Sequence, residues 1–146
     1  MAVNAGQRNV PDTPSNRQCY AVDACYVLCV HLLKITKNQK FFTEEHYDLT
    51  GRIRELATGI YTCAFSANKT NVTKDPSRWE KRKANQESAI CGLIEMLALI
   101  PVARAVFHLR KGKTEYWTKL TKDAYALAKK WHEADVERYS NPERFE

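Results

Sequence analysis

The stretch 46–70, HYDLTGRIRELATGIYTCAFSANKT, decides the fold. Leu49, Ile53, Leu56, Ile60, Tyr61, Ala64 and Ala67 recur every three or four residues, the spacing that lines one face of an α-helix. Thr43 is placed to cap this helix. Glu44 and Glu45 then fall in its first turn, where carboxylates favour the helix dipole. Gly51 and Gly59 each lower helix propensity by about 1 kcal/mol, which predicts that they mark close helix approach. The helix ends in the small cluster Ser66-Ala67-Asn68, with Asn68 suited to cap it. A strongly basic segment follows.

Working outward, three more segments carry a helical period. The first runs from about Asn16 to Ile35, with Ser15 or Asn16 as cap and Gln18 completing a capping box. Tyr20, Ala24, Val27, Leu28 and His31 share one of its faces. Val22, Cys25, Cys29 and Leu32 make further faces apolar too, which predicts a helix covered on more than one side and an interface between copies. The third segment begins at Asp75 and Pro76, a cap followed by a proline at the first helical position. Its stripe is Trp79, Ile90, Leu93, Ile94, Leu97, Ile100, Ala103 and Phe107. Pro101 is expected to kink it and Gly112 to end it. The fourth runs from a cap at Thr114 to about Tyr139, with Trp117, Leu120, Ala124, Leu127, Trp131 and Ala134 or Asp135 inward; Pro142 prevents extension.

No segment alternates as a strand does. The expected fold is all-α: an antiparallel up-down-up-down four-helix bundle over residues 15–140, with an N-terminal arm at 1–14 and a short tail at 141–146. A chain of 146 residues suits one such domain. The run from Ala89 to Val106 carries Glu95 and Arg104, which argues against a membrane span. The start, MAVNAGQRNVPDTPSN, lacks the apolar core of a signal peptide. Five cysteines with no CxxC pair predict reduced, mostly buried thiols in a cytoplasm. Cys25 and Cys29 lie four apart, but His31 falls on another face, so no metal site and no cofactor are expected.

Chemistry-bearing motifs are scarce. His31, His46, His108 and His132 share no ligand spacing, and there is no phosphate loop, HExxH or GxSxG. Glu95 reads as a surface or ion-paired carboxylate rather than a catalytic one. The protein is therefore expected not to be an enzyme. Its charge says more: +6 overall, which favours an anionic partner. Lys69, Lys74, Arg78, Lys81, Arg82 and Lys83 form one basic run, opposed by Asp75 and Glu80. Arg104, Arg110, Lys111 and Lys113 form a second, at the far end of the same helix. Both groups are candidate phosphate contacts, with Arg78, Lys81 and Arg82 sharing one exposed face. Trp79 and Trp117 lie near them, either to stack on bases or to fill the core.

One resemblance joins these readings. Leu49, Ile53, Arg54, Ala57, Ile60, Ala64, Ala67 and Asn68 match the pattern ΦxxxIRxxAxxΦxxxΦxxAN, where Φ is apolar. It resembles the second helix of the accessory variability determinants of diversity-generating retroelements. The segments ESAICGLIEMLALIPVARAVFHL and KLTKDAYALAKKWHEADVERY are similar to the third and fourth helices of that family. The likeness covers roughly Lys34 to Tyr139 and departs at Pro101 and in the long segment 70–83. The bundle proteins of ribosomal RNA intervening sequences share a similar second helix and are the near alternative, beside a structural interaction bundle without nucleic acid. The resemblance implies a non-catalytic homopentameric barrel. Such a barrel binds the reverse transcriptase and template-repeat RNA and supports mutagenic cDNA synthesis.

Overall fold

The structure is a computed structural model and describes residues 19–141. The expected caps Ser15 and Asn16, the arm 1–14 and Pro142 lie outside the described residues. Within them are four α-helices, α1 Tyr20–Ile35, α2 Tyr47–Lys69, α3 Pro76–Phe107 and α4 Lys111–Tyr139, and no strand. A short 3₁₀ turn, Glu44–His46, precedes α2, so the two glutamates form a separate turn and the α-helix starts at Tyr47. The helices make a four-helix bundle in which α1 packs on α2 and α4, and α3 packs on the same two. Contacts run antiparallel along each pair: Arg54 reaches Leu33 while Tyr61 meets Tyr26. Arg52 likewise bonds Glu95 while Arg82 reaches Ala67.

α2 buries Ile53, Leu56, Ala57, Ile60, Ala64 and Ala67, the face its spacing marked. α1 is turned from its expected phase. Ala21, Val22, Cys25, Leu28, Cys29 and Leu32 are buried, whereas Tyr20 and Val27 are exposed. The residues read as a second, interface-forming face are thus the bundle core itself. Small thiols and alanine allow α1 to approach its neighbours, while the tyrosine keeps its hydroxyl in water. In α3 the core phase is Leu93, Met96, Ile100, Ala103 and Phe107, and Ile94 points outward at 52% exposure. In α4 Trp117, Thr121, Ala124, Ala128 and Asp135 are buried and Leu127 is exposed.

The helix ends explain the connections. Asp75 accepts the Ser77 amide at 3.0 Å and the Ser77 hydroxyl at 2.7 Å, with Pro76 beginning α3. Those bonds hold the Asp75 carboxyl below the usual range. α3 continues through Pro101 and stops at Phe107, before Gly112. His108 takes the left-handed conformation, φ 55°, and the amides of His108 and Leu109 both return to the Arg104 carbonyl. This is a Schellman ending, its apolar partner supplied by buried Leu109. Gly112 and Thr114 instead fall inside the first turns of α4, where the Thr114 hydroxyl donates to the Lys111 carbonyl. Asn68 lies within α2, and Thr70 closes it through its amide to Ala67 and its hydroxyl to Ser66.

Close helix approach occurs at Gly92, not at the glycines the sequence singled out. A Cβ on Gly92 would stand 2.6 Å from Ile60 Cγ1, while Gly51 and Gly59 have open space. Ile60 is itself fully packed, so it has little room to yield. Gly59→Ala is therefore expected to stabilise by up to about 1 kcal/mol through helix propensity. Gly92→Ala should destabilise by about 1–3 kcal/mol through overpacking. Ile53→Ala and Leu93→Ala should each cost about 2–5 kcal/mol. Urea denaturation of the four variants checks the set. Equal stabilisation by both glycine substitutions would show that α2 and α3 are not in contact at Gly92.

Candidate nucleic-acid interface

The basic run 69–83 does not act as one exposed patch. Arg82 turns inward. Its Nε donates to Asp135 Oδ2 at 2.6 Å, and its Nη1 donates to the Ala67 and Thr70 carbonyls at 3.1 and 3.3 Å. Its side chain is only 12% exposed and that of Asp135 3%. Gln86 Nε2 donates to the same carboxylate oxygen at 2.7 Å, and its Oε1 lies 2.8 Å from His132 Nδ1. The guanidinium stands 5.4 Å from the Trp131 ring centre. This is a structural network joining α2, α3 and α4, and Arg82 is withdrawn from the expected phosphate contacts.

Arg78 is partly committed as well, donating to the Asn71 carbonyl at 3.1 Å across the α2–α3 connection. Lys83 pairs with Glu80 at 3.4 Å, and Lys69 lies 5.5 Å from the Phe65 ring centre. Lys74 and Lys81 are exposed. Trp79 is buried against Tyr139, and Trp117 is wholly enclosed, so neither ring is open to bases.

The second basic group meets a groove. A cavity of about 530 Å³ opens between the end of α3 and the start of α4, over Ile100 and Pro101. Arg104 and Lys111 line it together with Lys119 and Lys122, and Thr114 and Thr118 add hydroxyls. The sequence reading missed Lys119 and Lys122. Their signal was present, since Lys111, Thr118, Lys119 and Lys122 fall on one side of α4 at steps of seven, one and three. Two carboxylates, Glu115 and Asp123, share the groove. Asp123 accepts from Lys119 Nζ at 2.7 Å, and that bond raises the lysine above its ordinary range, keeping it cationic. No side chain caps the start of α4 and no acid sits in its first turn, so the helix dipole adds to the positive field. Of the other two cations, Arg110 is exposed outside the groove lining, and Lys113 lies 3.9 Å from the Phe41 ring centre, partly buried.

Other chemistry is muted. Glu95 pairs with Arg52 on the surface. Burial pushes the Cys25 thiol up to about 12 and raises Cys19 and Cys29 as well, which suppresses thiolate formation. Of the five thiols, Cys25 and Cys29 are buried, Cys19 and Cys63 are partly buried, and Cys91 is exposed. His31, half-buried, is pushed down by burial and by nearby Lys113, so it stays neutral near pH 7. Among the described residues no three His, Cys, Asp or Glu side chains gather to hold a metal ion. No family model, curated protein or solved structure matches the chain.

The two neighbours Lys81 and Arg82 should therefore respond differently. Arg82→Gln leaves Asp135 buried with only Arg138, 3.9 Å away, as a cation and is expected to cost about 3–5 kcal/mol. Lys81→Gln, on the surface, should stay within about 0.5 kcal/mol of the parent. Chemical denaturation distinguishes them, and equal small losses would mean that Arg82 is solvated.

Proposed function

We propose that this protein is a non-catalytic, RNA-binding accessory protein that partners a reverse transcriptase in a diversity-generating retroelement. The carrying observation is the α3–α4 groove, where Arg104, Lys111, Lys119 and Lys122 converge on one concave surface. Phosphates bind such a surface by releasing counterions, largely without regard to base sequence. The template-repeat RNA and the polymerase partner enter through the resemblance of α2, and the polymerase supplies the chemistry. The unpaired cysteines suit a reducing cytoplasm.

Self-association into a cyclic homo-oligomer belongs to the same reading. The support is the outward face of α3, where Cys91, Ile94, Ala98, Pro101, Val102 and Ala105 are exposed. A continuous apolar strip of this kind favours a protein contact. The resemblance makes the assembly a homopentamer.

The test is filter binding of RNA at two salt concentrations. The triple variant Arg104→Gln, Lys111→Gln, Lys122→Gln should bind all RNA sequences more weakly. Its salt dependence should be flatter by roughly 0.7–0.9 in log–log slope for each phosphate contact removed. Folding stability should change little, because exposed charges contribute about 0–1 kcal/mol. Unchanged binding at both salts would remove the groove as the interface. Light scattering at micromolar concentration should return an oligomer mass, and a monomer mass would remove the ring.

A further inference from the structure

A second surface lies on the other side of the bundle, where α1 meets α2. Tyr26 of α1 stands 5.5 Å from Tyr61 of α2, ring centre to ring centre, at an interplanar angle of 62°. One turn along α2, Tyr61 stands 5.9 Å from Phe65 at 55°. One turn further, Lys69 Nζ lies 5.5 Å from the Phe65 ring centre. The result is a continuous row of three rings closed by a cation. Tyr61 is half-buried and braces the row, while Tyr26 and Phe65 are 52% and 43% exposed. Beyond Lys69 the chain enters the α2–α3 connection and its exposed Lys74.

Large rings set side by side at the surface, with a cation at the end of the row, make a patch suited to a partner. A purely apolar partner would gain nothing from the lysine at the end of the row, and it would have to desolvate that charge. A strand of unpaired nucleotides suits both parts: its bases offer flat faces to aromatic rings, and its phosphates meet Lys69 and Lys74. Tyr26 meets Tyr61 edge-on and Phe65 is tilted to Tyr61, so neither outer ring is stacked flat on its neighbour and both keep part of their surface in water. We infer that the row Tyr26–Tyr61–Phe65, closed by Lys69, is a stacking platform for the unpaired bases of single-stranded RNA. The inference rests on the RNA-binding reading above and adds a specificity the groove lacks. In a duplex the bases are already stacked on one another and offer no free face, whereas phosphates are available in either form. The groove should therefore hold both forms of RNA and the aromatic row only one.

The test compares a single-stranded oligouridine with a duplex RNA of the same length, by fluorescence anisotropy at one fixed salt concentration. The double variant Tyr26→Leu, Phe65→Leu keeps apolar bulk and removes both open rings. It should weaken single-strand binding by at least about fivefold, the lower end of the loss per stacked base, and leave duplex binding within about twofold of the parent. Ultraviolet crosslinking of the oligouridine to the unaltered protein gives an answer that does not depend on a variant folding. Crosslinked peptides should contain Tyr26 or Phe65. Unchanged single-strand binding by a folded double variant, or crosslinks confined to other peptides, would overturn the platform while leaving RNA binding intact. Failure of the unaltered protein to bind either RNA would remove the groove and the platform together.

Discussion

The bundle depends on a guanidinium taken out of water. Arg82 and Asp135 are buried together, and such a pair is stable only when its remaining hydrogen-bonding groups are satisfied. Here they are. Arg82 supplies donors to the Thr70 carbonyl and to the Ala67 carbonyl, which also accepts from the Thr70 amide, at a helix end where acceptors are short of partners. Asp135 accepts from Gln86 as well. One side chain thus closes α2, fixes the first turns of α3 against it, and pins the last turns of α4. The opposite end repeats the device. Arg54 of α2 donates to the Leu33 carbonyl at 3.0 Å and to the Thr36 hydroxyl at 2.6 Å, closing α1. Each of these two helices receives an arginine of the next at its end, which ties the register of consecutive pairs.

This use of arginine changes what the net charge means. A count of basic residues overstates the charge offered to a partner, because Arg54 and Arg82 serve helix ends and Arg78 holds a loop carbonyl. What remains accessible is distributed: it includes the groove between α3 and α4, Lys69 beside its aromatic row, Lys74 and Lys81 near the start of α3, Lys37 and Lys40 after α1, and Lys129 and Lys130 on α4. The exposed strip of α3 is an apolar surface that adjoins the groove at Pro101.

The helix count and the α2 core face were legible in the sequence, because Ile53, Leu56, Ile60, Ala64 and Ala67 follow a clean period. The start of α3 was legible because Asp75 and Pro76 act locally. The phase of α1 was not. A helix apolar all round carries no periodic signal to choose between faces, and the choice falls to how closely cysteine and alanine let neighbours approach. The end of α3 was hidden because His108 adopts a conformation in which glycine is expected. In the site, Arg82 read as one more cation of a run, since its partner Asp135 lies 53 residues away. Lys119 and Lys122 could have been found from their spacing on α4, but only the packing of α3 beside them makes a groove.

The most direct test is a double-mutant cycle on the buried pair, with Arg82→Met, Asp135→Leu and the combined variant measured by urea denaturation. If the pair organises the three helix ends, each single variant is strongly destabilised and the double variant recovers much of the loss. The coupling is expected to be about 2 kcal/mol or more, in the upper part of the range for contacting residues. Additive losses within about 0.5 kcal/mol would contradict it, showing that Arg82 and Asp135 do not depend on one another.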